Sequence, residues 1–177
     1  DWKLSSGVEI MLLYNKAFDP IHTVLRLVTI CKNSSISPME IERLQIFNFL
    51  LAFPSHIADM PLPREMLQAK NKFKKYRSPY NNFEPYTLFN RVNPTFISAL
   101  QIAENIGFMK ILQNGEIELH KELIPIELDS ITNAESSSIP KQALAFEMVH
   151  LSTMPILGKS GLKAASKLMC FKYDHTK

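Results

Sequence analysis

A predominantly α, winged-helix-like α+β domain is the fold class this sequence predicts, and three observations carry it. Proline-opened amphipathic runs recur from Asp19 to Ile106, Gly107 stands where a left-handed helix end is wanted, and an Asn-Gly hairpin signal follows at once. Helices running straight into a hairpin is the element order of a winged helix. The expected winged-helix-like core spans about 39–124. A helix at about 19–33 and a C-terminal segment at about 140–174 pack on it, in a single domain over 1–177.

Asp19-Pro20 opens the first helix: the carboxylate caps free amides, proline suits the first helical position, and Ile21, Val24, Leu25, Val28 and Cys31 recur at spacings of three and four. It is expected to end near Asn33. Ser37-Pro38-Met39-Glu40 predicts a second start, with Ser37 as cap and Glu40 at the capping-box spacing. The body of that helix, Ile41 to Phe53, is apolar on more than one face, which suits the middle of a core, and Pro54 stops it.

A third helix is predicted from about Pro63 to Arg77, with Met66, Ala69, Phe73 and Tyr76 inward and the lysines outward. The linker SPYNNFEPYTLFNRVNP is expected to lay Tyr80, Phe83, Tyr86 and Phe89 on the core. Asn93-Pro94 restarts the helical pattern through Phe96, Ile97, Leu100, Ala103 and Ile106, with Gly107 as its cap. Phe108 to Gln113 and Glu116 to His120 read as strands around Asn114-Gly115, a pair that accepts positive φ at both residues. A Ser-rich loop at 136–138 and a helix from about Pro140 to Ser152 complete the chain before PILGKSGLK at 155–163.

The 177 residues are 46% apolar, enough for one good core. The start shows no signal-peptide pattern and no apolar run approaches membrane-spanning length, so a soluble, cytoplasmic protein with no membrane partner is expected. Cys31 and Cys170 form no CxxC, which argues against a disulfide framework or zinc site. Net charge is only +3, and by itself implies no nucleic acid. Its distribution is informative: Lys70, Lys72, Lys74, Lys75 and Arg77 crowd together, whereas Glu116 to Asp129 is mostly acidic.

Gly158-Lys159-Ser160 matches the end of a P-loop, but the glycine needed five positions earlier is Thr153, and the preceding segment reads as helix where a P-loop requires a strand. A cradle of backbone amides is therefore not expected. His22, His56, His120, His150 and His175 form no HxxxH or HExxH pair. Glu116, Glu118 and Lys121 invite comparison with a metal nuclease, yet Lys121 follows Glu118 by three and on a strand points to the other face. No catalytic residue, cofactor site or metal site is nominated.

Two surfaces are. The basic run Lys70, Lys72, Lys74, Lys75 and Arg77 is a candidate for contact with a phosphate backbone or an acidic partner. A solvated helix face, with lysines complementing the helix dipole, is the plainer reading. Few arginines and the acidic hairpin leave non-specific contact with double-stranded DNA as the nucleic-acid option. In the C-terminal segment, Leu157, Lys159, Leu162, Lys163, Met169, Phe171 and Tyr173 interleave apolar anchors with basic residues, the composition of an interface for an acidic-rimmed partner. About half of those apolar positions are expected to complete the chain's own core.

That C-terminal segment, PILGKSGLKAASKLMCFKYD at 155–174, resembles the closing signature of the middle component of bacterial ABC three-component systems. FDPIHTVLR at 18–26 resembles the opening helix of that family, and IERLQIFNFLLAFP at 41–54 its long apolar helix. The resemblance, of which Lamassu is the best-known setting, implies a non-catalytic adaptor in antiviral or anti-plasmid defence. ATP and metal would be held by partner subunits, an SMC-like ABC ATPase and a nuclease-type effector. The reading from another class is a stand-alone winged-helix DNA-binding regulator.

Overall fold

A computed structural model describes residues 15–134 and 139–169. Asp19 caps helix α1 (Pro20–Asn33) as the sequence predicts, accepting from the amides of Ile21 at 2.8 Å and His22 at 3.2 Å, with Pro20 in the first turn. Helix α1 packs chiefly on α5 (Pro85–Ile106), and strand β1 (Met39–Glu40) and helix α2 (Ile41–Ala52) follow it in sequence. Leu44, Ile46, Phe47, Phe49, Leu50 and Leu51 of α2 are all buried, so this helix is the central element of the core. Each such side chain contributes about 1.5–3 kcal/mol of burial. Phe49 gathers Phe53, His56 and Phe89 around it, with ring centroids 5.1, 5.7 and 5.8 Å away.

Strands β2 (Met109–Ile111) and β3 (Glu116–Leu119) form the expected hairpin, and with β1 they make an antiparallel sheet in the order β1-β3-β2. Met39 pairs with Ile117 and Met109 with Leu119, and all four side chains are buried. Lys110 opposes Glu118 on the other face, a favourable cross-strand pair. The molecule is thus mostly helical with a small three-stranded sheet, the α+β class expected.

Five local expectations are corrected. Ser37 is not a helix cap: its hydroxyl accepts from the Leu119 amide at 3.0 Å, and Met39-Glu40 is a strand because the edge of β3 offers it a ladder. Helix α2 begins only at Ile41, with Glu40 turned to Arg43. The turn at 113–115 is also different, since positive φ occurs only at Gly115 (+81°). Leu112 donates to the Glu116 carbonyl and Gly115 to that of Leu112, giving a three-residue loop that ends in a left-handed glycine.

The helix predicted at 63–77 is broken into a 3₁₀ turn (Arg64–Met66), α4 (Leu67–Asn71, following α3, His56–Asp59) and a second 3₁₀ turn (Lys72–Tyr76). Phe73 is its one buried side chain, too small an apolar stripe to hold one long helix together. Conversely, after a 3₁₀ turn at Pro79–Asn82, the rest of the linker and the predicted restart at Pro94 are a single helix, α5, opened by Pro85 and carrying Pro94 inside it. Burial of Leu88, Phe89, Val92, Phe96, Leu100 and Ala103 outweighs the amide lost at Pro94. Gln45 donates to Asn93 at 2.8 Å beside it. Phe83 and Tyr86 stay exposed, contrary to the expectation that all four linker aromatics reach the core. Gly107 closes α5 at φ +111°, as expected.

Beyond the hairpin, α6 (Ile126–Asn133) was not foreseen; none of its residues is buried, and Lys32 of α1 holds it through Asp129 and, at 2.7 Å, Asn133. The helix expected at 140–152 is α7 (Lys141–Phe146) continued by a π-helical turn (Glu147–Leu151). Helix α8 (Leu162–Ser166) follows the loop at 155–161.

Candidate functional site

The loop that contains Gly158-Lys159-Ser160 is closed by its own backbone. Gly161 donates to the Gly158 carbonyl at 3.1 Å, Leu162 to Pro155 at 2.8 Å and Lys163 to Ile156 at 3.2 Å. Those amides are engaged with carbonyls of the same loop, and the element before them is a π turn and bend. Gly161 makes the closure feasible: a Cβ there would sit 2.3 Å from the Leu157 carbonyl oxygen.

Two buried side chains fix this strap, 152–169, to the core. Arg43 on α2, 4% exposed, donates to the carbonyls of Leu151 (3.0 Å) and Met154 (2.7 Å) and pairs with Glu40 at 2.8 Å. It thereby adds a donor to the Leu151 carbonyl, which also accepts from the Met154 amide at 3.2 Å, and supplies one to the Met154 carbonyl beyond the end of the helix. The ion pair in turn holds the Glu40 carboxyl below its usual range, because the Arg43 hydrogen bond favours the charged form. His56, also buried, donates from Nε2 to the Ser166 carbonyl at 2.8 Å. A carbonyl can only accept, so the hydrogen lies on Nε2, and burial pushes the imidazole pKa down.

The strap divides the predicted interface residues. Leu157, 47% exposed, and Lys159 face outward. Leu162 is fully buried, Lys163 is nearly so with its Nζ 4.0 Å from Glu42, and Met169 is half-buried against the core. Leu162 and Lys163 thus belong to the chain's own packing. Phe171 and Tyr173 lie outside the described residues.

The basic run is divided in the same way. Lys70 donates to the Met60 carbonyl at 2.6 Å and Arg77 pairs with Asp59 at 2.9 Å. Lys72, Lys74 and Lys75 are exposed, with the Lys75 ammonium 5.1 Å from the centre of the Tyr76 ring. Phe73 anchors the segment on Phe146 of α7, ring centroids 5.4 Å apart. The hairpin, by contrast, packs on α5. On the hairpin, Glu116 is engaged with Asn114 and Glu118 with His120. Among the described residues no three His, Cys, Asp or Glu side chains gather as a metal-holding group. Cys31 is buried with its thiol pKa raised to about 11 by desolvation, an inert thiol. No described helix is long and apolar enough to cross a membrane.

Sequence reasoning missed both fixing residues. An arginine inside the apolar helix at 41–52 and a histidine just after Pro54 were the available signals: a charged or polar residue inside a buried run needs partners, and here they are backbone carbonyls.

Compared with known proteins, the chain matches over residues 12–174 the family described as ABC-three component (ABC-3C) system Middle Component 5. Neither the curated proteins nor the solved structures contain a significant match.

Proposed function

The chain belongs to the ABC-three component system Middle Component 5 family, and from that premise we propose that it is a non-catalytic adaptor joining an SMC-like ABC ATPase to a nuclease-type effector in antiviral or anti-plasmid defence. Membership makes it an accessory component of a multi-component system. The observation that carries the finer reading is the strap: Arg43 and His56 bond its backbone at Met154 and Ser166 while Leu157 and Lys159 between them are presented outward. A pre-ordered apolar anchor beside a cation loses little entropy on docking and suits an acidic-rimmed partner.

The competing reading, a stand-alone winged-helix DNA-binding regulator, draws on the helix-strand-helix order and the sheet order β1-β3-β2. The outer face of α5, the helix that such a regulator would lay in the groove, argues against it. Tyr86, Asn90, Ile97 and Gln101 are exposed there, and Arg91 lies over the Phe83 ring at 5.2 Å. That surface has little positive charge for a phosphate backbone. DNA contact, where it occurs, falls to Lys72, Lys74 and Lys75 and is non-specific.

Co-expression with the ATPase and effector encoded beside it tests the proposal. The wild type is expected to co-purify with both, and Leu157→Asp combined with Lys159→Glu to lose at least one of them while keeping its melting temperature. Retained assembly in that variant removes the strap from the interface. Sequence-selective duplex binding by the isolated chain selects the regulator.

A further inference from the structure

A cavity of about 690 Å3 opens between α1, the end of α2, Tyr76 and the segment around Ile139. That is the size of a small-ligand site. Its walls are largely aliphatic, with Leu25, Leu51 and Ile139 among them, and the charged side chains among its described lining residues are the cations Lys16 and Arg26. No Asp or Glu is among its described lining residues.

Arg26 is the unusual member. It is 4% exposed, and its guanidinium contacts are neutral: Nε donates to Asn48 Oδ1 at 2.8 Å, one terminal nitrogen to Thr23 Oγ1 at 2.8 Å and the other to the Lys16 carbonyl at 3.3 Å. A guanidinium carries five N–H donors, so these three bonds leave donor capacity unused. Asp19 is a counter-charge that acts on it at longer range, its Oδ1 capping α1, with no ion pair between the two. Burial lowers the Arg26 pKa to about 10, so the group remains charged near neutrality. A buried cation with no carboxylate in contact among the described residues is costly, and a carboxylate brought to it forms the strongest class of hydrogen bond it can make.

The cationic character continues past the cavity. Tyr76 lines the cavity, and the exposed Lys75 lies over its ring, so one cation of the basic run stands next to the opening. A free small acid would have no use for that outer charge, whereas an acidic stretch of polypeptide would span both. We propose that this cavity and its lysine rim form a docking site for an acidic, aliphatic segment of a partner protein, with one carboxylate received by Arg26. The site is separate from the strap, and depends on the adaptor reading only in requiring that a protein partner exist.

The test uses the isolated full chain and two fluorescein-labelled peptides, one alternating Leu and Glu, the other Leu and Gln, followed by anisotropy. The Leu/Glu peptide is expected to bind at least tenfold more tightly than its Gln counterpart. Arg26→Gln, which can still bond Asn48, and the rim variant Lys75→Glu are each expected to weaken it about tenfold. Because Lys75 is exposed, its variant reads binding even where Arg26→Gln perturbs folding. Equal affinity for the two peptides, or no binding of either, overturns the proposal. So does binding that appears only after residues 1–14 are deleted, which makes the chain's own segment the occupant. Full displacement by a duplex oligonucleotide reassigns the surface to nucleic acid, and by millimolar free glutamate to a small acid; either overturns it. Failure here leaves the strap co-purification standing, and the reverse holds equally.

Discussion

His56 Nε2 donates to the Ser166 carbonyl at 2.8 Å across 110 positions of sequence, and this bond pins the end of α8 to the core. Burial depresses the imidazole pKa below 6.5, so between the folded value and 6.5 the unfolded chain binds more protons than the native one. Stability is therefore present above pH 6.5 and declines as pH falls below it. Protection of the amides at 162–166, taken relative to their intrinsic exchange rate at each pH, is expected to fall between pH 7.5 and 5.5 in the wild type and to lose that dependence in His56→Gln. Unchanged protection would remove His56 as the pin.

Arg43 serves three carbonyls and one carboxylate from a position 4% exposed. Arg43→Met removes all of these bonds, the Leu151 carbonyl keeping only the Met154 amide, and a loss of about 2–4 kcal/mol is expected in urea unfolding. Glu40 adds an acid-side signature: its lowered pKa gives stability that is present above pH 4.5 and lost as pH falls below it. That loss should vanish in the Arg43 variant.

Glu147 has the opposite sign. Its carboxyl is fully buried in the π turn, neither oxygen has a hydrogen-bond partner among the described residues, and desolvation raises its pKa well above 4.5. The native state then holds the extra proton, so stability is greatest below pH 4.5 and falls as pH rises toward the folded pKa. Glu147→Gln is expected to flatten that decline and to raise the melting temperature at pH 8. A variant that melts lower than wild type at pH 8 would show a charge partner for Glu147.

Gly161→Ala is expected to cost more than about 2 kcal/mol, since the new methyl meets the Leu157 carbonyl at 2.3 Å and backbone must move. Loss of strap docking in co-purification should accompany it. A melting temperature within a degree of wild type would show that the loop relaxes freely.

Much of this architecture was legible along the chain, and each success was local. Asp19-Pro20 states a helix start in two residues, Gly107 a helix end in one, and Asn114-Gly115 a reversal. What was missed depended on neighbours distant in sequence. Met39-Glu40 becomes a strand only because β3 stands beside it, and α6, with no fully buried residue, is held by Leu128 against the core and by Lys32 reaching Asp129 and Asn133. Periodicity registers neither a single apolar contact nor a distant ion pair. Pro94 was read as a boundary because its cost is local, whereas the burial that overrides it comes from α1 and α2.

The candidate surfaces show the same division. Composition alone marked Lys70 to Arg77 and 155–173 as basic and partly apolar, and ABC-three component membership was written in motifs readable without coordinates. Only the folded chain separates Leu157 from Leu162, or Lys72 from Lys70, because exposure is a property of packing among distant segments. The sequence by itself determined the helical class, the hairpin and the family, through short-range sterics and capping chemistry. Tertiary structure decided which side chains remain for partners, because burial and buried hydrogen bonds are summed over contacts that sequence neighbours do not make.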